Sequence, residues 1–105
     1  MDEVPAIEVE ELADRLAEGA PLVDVRQPDE YDDFHVPGAR LIPLMDIPDR
    51  IGEVPADTTV YVICGSGGRS ARAVQFLNAQ GHDTVNVTGG SKAWRDAGHP
   101  VEHGS

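Results

Sequence analysis

One stretch of this 105-residue chain concentrates the residue types that chemistry needs: Cys64-Gly65-Ser66-Gly67-Gly68-Arg69-Ser70. Before it, residues 59–63 form a continuous apolar, β-branched run, the pattern of a strand buried on both faces. After it, Ala73, Val74 and Leu77 fall at helical spacing within residues 70–80, and Gly81 can stop that helix. A thiol at the carboxyl end of a strand sits where open α/β sheets bind ligands. The helix N-terminus that follows offers free N–H groups and the positive end of its dipole, both favourable to an anion. Gly65, Gly67 and Gly68 let the backbone curl so that successive N–H groups converge on the sulfur. In such surroundings a thiol pKa falls from about 8.5 to roughly 3.5–7.5, which gives a thiolate at neutral pH. Arg69 adds a permanent positive charge and a fork of donors suited to an oxyanion. The bland alternative is a cysteine buried for packing alone, a common fate of free cysteine. A core cysteine, however, needs no glycine-rich cradle behind it.

Other chemistries fit the loop less well. A dinucleotide loop lacks its third glycine here, and a Walker phosphate loop would end in Gly-Lys-Ser/Thr. The Gly-x-Ser-x-Gly elbow of serine hydrolases does not match Gly65-Ser66-Gly67.

The elements that must position this loop are legible around it. Val9, Leu12, Ala13, Leu16 and Ala17 recur at helical spacing, with Gly19 as a stop. Residues 22–25 read as a short strand, Pro28 and Asp29 as a turn, and residues 30–34 as a brief helix. Residues 36–39 read as a turn and residues 41–44 as a short extended piece. A weak helix is expected over residues 46–51, with Pro48 in its first turn. Residues 84–87 form a further strand, Gly89-Gly90 a turn, Ser91 a cap and residues 92–97 a helix ended by Gly98. Strands alternating with helices predict an α/β fold, a mostly parallel central sheet flanked by helices on both faces. The length suits a single domain over residues 1–105, with a core of about 7–101.

Composition bounds the partners. Nineteen acidic residues against eight basic ones give a net charge of −11, and the pI is about 4.5. Nucleic acid and anionic membrane surfaces call for a basic patch, so neither is an expected partner. A single cysteine excludes an internal disulfide and a multi-cysteine zinc site. The start, Met1-Asp2-Glu3-Val4-Pro5, lacks the basic and apolar run of a signal peptide, and no stretch has the length of a membrane span. The expected location is the cytoplasm.

The Cys64–Ser70 stretch resembles the active-site loop of single-domain rhodaneses, which are sulfurtransferases. Further segments agree in order along the chain: Val23-Asp24-Val25-Arg26 is similar to the family's Asp-x-Arg strand. Glu30-Tyr31 with His35-Val36-Pro37-Gly38-Ala39 is similar to its acidic-aromatic and His-x-Pro-Gly-Ala segments. Gly89-Gly90-Ser91-Lys92-Ala93-Trp94 is similar to its Gly-Gly-x-x-x-Trp segment. The resemblance runs from about Ile7 to Val101. Phe34 stands where many relatives carry glycine, and Gly65 where thiosulfate-preferring loops often carry a basic residue. Cys64-Gly65-Ser66-Gly67 is instead similar to the loop opening of mercaptopyruvate sulfurtransferases. The resemblance implies a rhodanese-like fold and a two-step transfer without cofactor or metal. Cys64 would take a sulfane sulfur from a donor such as thiosulfate or 3-mercaptopyruvate and pass it to cyanide, a thiol or a protein acceptor. Arg69 would then contact the donor anion or brace the loop. Cysteine phosphatases of the same fold resemble Cys-x5-Arg, whereas Cys64 and Arg69 are spaced Cys-x4-Arg, a loop cramped for phosphate. A sulfur relay or regulatory binding module with low turnover is the reading from another class; an acidic surface suits a basic partner protein.

Residues outside the loop carry alternatives. Asp24 and Arg26 could touch substrate, but Asp24 pairing with or capping a neighbouring loop and Arg26 bracing the site edge is the usual fate of charges beside a buried site. His35 could give a proton or satisfy backbone groups beside Pro37-Gly38. His82, His99 and His103 read as surface residues, and Trp94 as core. Ser66 and Ser70 could donate to the sulfur, and Ser70 could equally cap its helix.

Overall fold

The structure, a computed structural model, describes residues 4–104; Met1–Glu3, where the expected leader-free start falls, and Ser105 lie outside them. In chain order the elements are β1 (Ala6–Ile7), α1 (Val9–Ala17), β2 (Leu22–Asp24), α2 (Pro28–Asp33), β3 (Arg40–Leu41), two 3-10 turns (Leu44–Asp46 and Ile51–Glu53), β4 (Val60–Ile63), α3 (Gly68–Ala79), β5 (Thr84–Val87) and α4 (Gly90–Asp96). The strands form one sheet in the order β1-β5-β4-β2-β3, and every pairing in it is parallel. This is the expected α/β architecture. No helix among the described residues is long and apolar enough to cross a membrane.

The two-residue period of the strands divides the core in two. Val60, Val62, Val23 and Val25 point to the face covered by Ala73, Val74 and Leu77 of α3 and by Ile47 and Val54. Tyr61, Ile63, Leu22 and Val87 point to the other face, against Val9 and Leu12 of α1 and Trp94 of α4. Tyr31 of α2 packs on this second face and donates its hydroxyl to Ala39 O at 2.7 Å.

Several boundaries differ from expectation for identifiable reasons. Pro28 is the first residue of α2 rather than part of a preceding turn, because a missing N–H costs nothing there. Phe34 is extended and ends that helix. The weak helix expected over residues 46–51 does not form. Pro48 has no N–H to give Leu44 O, which accepts instead from Ile47 N at 3.2 Å, so the segment closes as separate 3-10 turns. Pro43 lies just past the edge strand β3, between Ile42 and Leu44, whose N–H groups reach Asp24 O and Val25 O at 2.9 and 3.0 Å. α4 starts at Gly90, so Ser91 lies inside the helix and the cap is Gly89. β1 was not foreseen: its two residues are too few to show a period.

Candidate active site

Cys64 continues the alternation of β4, so its side chain emerges on the α3 face beside Val60 and Val62. The chain then turns back through Gly67, whose φ of +112° is the left-handed conformation that glycine adopts without strain. Gly67 caps α3, which therefore begins at Gly68, and Ser70 sits in its first turn rather than at its cap. Gly65 and Gly68 have ordinary φ values, so of the three loop glycines only Gly67 supplies the curl. The turn brings Gly67 N to 3.0 Å and Ser70 Oγ to 3.3 Å from Cys64 Sγ. Burial pushes the Cys64 thiol up. The Ser70 hydroxyl and the N–H groups of Ser70, Gly67 and Ser66 outweigh it, and the thiol lies below its ordinary value. The Ser66 side chain itself is exposed and contributes through its backbone.

A second helix end holds the loop from behind. Ser91 N and Oγ donate to Cys64 O at 2.8 and 3.1 Å, and Lys92 N donates to Gly65 O at 3.1 Å. The carbonyls that would repel a sulfur anion are thus turned toward α4, while amides of α3 and the loop face the sulfur. Only glycine fits at position 90: its φ is +64°, and a Cβ there would stand 2.3 Å from Cys64 O.

In front, Arg69 makes a two-pronged ion pair with Glu30 at 2.7 and 3.0 Å. Glu30 Oε1 also accepts Gln27 N at 3.0 Å. The Arg69 guanidinium holds the Glu30 carboxyl down to about 2. Arg69 therefore braces α3 against α2, and its charge is matched. Asp24 and Arg26 form a buried pair at 2.8 Å, and Arg26 Nη2 donates to Phe34 O at 2.7 Å. They join the end of β2 to the end of α2. His35 is not brought to the sulfur. Its Nδ1 lies 2.8 Å from Tyr31 O, its ring stacks on Tyr31 at 3.7 Å, and its backbone pairs with Glu102. Trp94 is buried, with Nε1 donating to Pro100 O at 2.7 Å. His99 stacks on Trp94, His82 reaches Pro55 O, and His103 reaches Asp33 O.

The sequence reading missed Glu30 as a partner of Arg69, Ser91 as a loop anchor, and Asn86. Asn86 is buried on β5, where it accepts from Ser70 Oγ and donates to Gly67 O. A polar residue in the middle of a buried strand was the available signal.

The geometry defines a cysteine in an amide-lined loop between two helix N-termini. The rhodanese-like domain profile matches residues 8–97. A sulfurtransferase of Allochromatium vinosum is 41% identical over 101 residues, covering 93% of this chain and 94% of that protein. A putative sulfur carrier protein of Bacillus subtilis is 34% identical over 94 residues, covering 87% of this chain but only 51% of the relative. Among solved structures, a rhodanese-like domain protein from Staphylococcus aureus superposes with a TM-score of 0.86 at 39% identity, covering 96% of this chain and 99% of that one. The chain belongs to the rhodanese-like domain family, and its named relatives tie it to sulfur transfer.

Proposed function

We propose that the chain acts as one domain that carries a sulfane sulfur on Cys64. The Cys64 thiolate attacks the outer sulfur of a donor such as thiosulfate, with 3-mercaptopyruvate as the other candidate. With thiosulfate the S–S bond breaks, sulfite leaves with the electron pair, and a persulfide remains on Cys64. A thiophile such as cyanide or a thiolate then attacks the outer sulfur, and Cys64 departs as thiolate. Two easier steps replace one direct transfer. The observation that carries this reading is the convergence of Gly67 N and Ser70 Oγ on Cys64 Sγ. The same donors suit thiolate and persulfide, so neither state requires the site to reorganise. Gly65, Ser66 and Gly68 shape the loop. Arg69 braces it, since its fork is taken by Glu30. Asp24, Arg26 and His35 support the surrounding corner. Intact mass after incubation with thiosulfate should show one added sulfur on the wild type and none on Cys64→Ser. Equal addition to both, or Cys64-dependent hydrolysis of an aryl phosphate without sulfur loading, overturns the reading.

A second reading, sulfur relay to a protein acceptor, is favoured by one surface feature. Met45 and Phe76 are 81% and 36% exposed and line, with Arg72 and Leu44, a 240 Å³ groove along α3. Persulfide formation with negligible cyanide turnover, and sulfur transfer to a protein thiol that Met45→Ser weakens, would support it.

A further inference from the structure

Ser70 Oγ has three neighbours that can accept a hydrogen bond: Asn86 Oδ1 at 2.5 Å, Cys64 Sγ at 3.3 Å and Gly67 O at 3.3 Å. A hydroxyl has one hydrogen to give. The amide of Asn86 is oriented by its other end. Nδ2 donates to Gly67 O at 3.3 Å, so the carbonyl oxygen must be the atom that faces Ser70. Asn86 thus touches the Ser70 hydroxyl that reaches the sulfur and holds the carbonyl of Gly67, whose own N–H reaches it too, without touching the sulfur itself.

While Cys64 is a thiol, the arrangement closes as a chain. The S–H donates to Ser70 Oγ, and the Ser70 hydrogen goes to Asn86 Oδ1. When the sulfur is an anion it competes for that hydrogen, because a bond to a charged acceptor is the stronger one. The hydroxyl then turns to the sulfur and Asn86 Oδ1 loses its donor. We propose that Asn86 is a positioning residue for the reactive sulfur: through Ser70 it completes a two-position hydroxyl rotor that bonds Asn86 when Cys64 is protonated and the sulfur when it is a thiolate or persulfide. Each ionisation of Cys64 gives up the Ser70–Asn86 bond. Asn86 therefore keeps the Cys64 thiolate from being over-stabilised, which would weaken it as the nucleophile that attacks the donor. The inference rests on the reading of Cys64 as the reactive thiol.

The charged groups near the loop are the Arg69–Glu30 pair from α3 and α2, Asp24 and Arg26 at the end of β2, and Lys92 of α4, whose Cε is 4.0 Å from the Cβ position of Gly65. β4 and β5 contain no charged residue. All of these stay constant in the variants, so changes in the titration of Cys64 report the Ser70–Asn86 pair.

The test is the pH profile of Cys64 alkylation by iodoacetamide, which needs no sulfur donor. Asn86→Ala removes the nearest acceptor of the Ser70 hydrogen and leaves only Gly67 O, at 3.3 Å, to compete with the sulfur, so the midpoint should fall by about half to one pH unit, seen below it as alkylation about threefold to tenfold faster. Ser70→Ala should move the midpoint up. In the Ser70→Ala background, adding Asn86→Ala should move it no further. A loosened loop draws amides away from the sulfur and raises the midpoint in both single variants, so the opposite signs separate the rotor from a structural effect. Should Asn86→Ala fail to fold, Asn86→Leu, closer in volume and without an acceptor, carries the same expectation. Asn86→Asp restores the acceptor and should return the midpoint to the wild-type value or above. An upward or absent shift in Asn86→Ala or Asn86→Leu, or an equal shift with Ser70 removed, overturns the proposal. Shifts of the expected sign in a protein that takes no sulfur from thiosulfate leave the rotor standing and count against the proposed function alone.

Discussion

Glu30 joins two parts of the site, accepting Gln27 N at the start of α2 and both prongs of Arg69 at the start of α3. Its carboxyl is held from an ordinary 4.5 to about 2, chiefly by the hydrogen bond from Arg69. A carboxylate whose folded value is depressed stabilises the fold above its unfolded value, and that contribution is lost as pH falls through the folded one. The brace should therefore be intact above about pH 4.5 and weaken progressively toward pH 2. In Glu30→Gln the difference in Tm from wild type should be largest near neutrality and shrink across that window. A constant difference would place the pair outside the acid transition. Glu30→Gln should also slow sulfur loading about tenfold, the size of effect expected when a group that positions a nucleophile is released. Single-turnover loading from thiosulfate measures it. None of this was legible from residue types alone. Cys64, Ser70 and Arg69 stood out because their spacing matched a chemistry, whereas Glu30, Asn86 and Ser91 act across contacts far apart in sequence.

At the scale of elements, β2 and α2 are joined by a charge pair that water does not reach. Asp24→Ala leaves the Arg26 guanidinium buried without its carboxylate, which should cost about 3–5 kcal/mol. Urea unfolding with an unchanged m-value is the check, and a loss below 1 kcal/mol would mean that Arg26 finds another partner. The junction of β5 and α4 is equally exacting. Gly90→Ala places a Cβ against the Cys64 carbonyl at a left-handed φ, a change expected to cost about 3 kcal/mol or more; the variant should also fail to take up sulfur. The helices and strands that pack against these junctions could be read directly. β4, β5, α1 and α3 each carry a period or an apolar run long enough to declare itself. The exceptions have local causes. β1 and β3 are two residues each, and they exist because a neighbouring strand offers an open edge. Residues 44–53 carry helical apolar spacing but close chiefly through three-residue bonds, with Arg50 N to Asp46 O as the one four-residue bond among them and none from Pro48, which has no N–H. α3 starts ahead of its apolar pattern because the residue that caps it is a glycine in a left-handed conformation, a property of the backbone that a side-chain pattern does not record.

Across the whole molecule, the net charge of −11 opposes the approach of any anionic donor. Six of the seven arginines are in ion pairs, including Arg69, so little cationic field remains to offset it. Among the described residues, only Arg72 and Lys92 of the arginines and lysines lie outside these pairs. Screening shortens the reach of the repulsion, to a Debye length of about 10 Å at 0.1 M salt. Sulfur loading from thiosulfate should accordingly speed up from very low to moderate ionic strength. A steady fall with salt would show that a local positive field dominates. The contact between Gly90–Ser91 and the Cys64 carbonyl has a consequence in time as well as in space. α4 is synthesised after every strand of the sheet, and until it docks nothing turns the Cys64 and Gly65 carbonyls away from the sulfur. Docking of α4 therefore fixes the carbonyl orientation that leaves the loop amides facing Cys64, and alkylation of Cys64 followed through refolding should speed up as that helix docks.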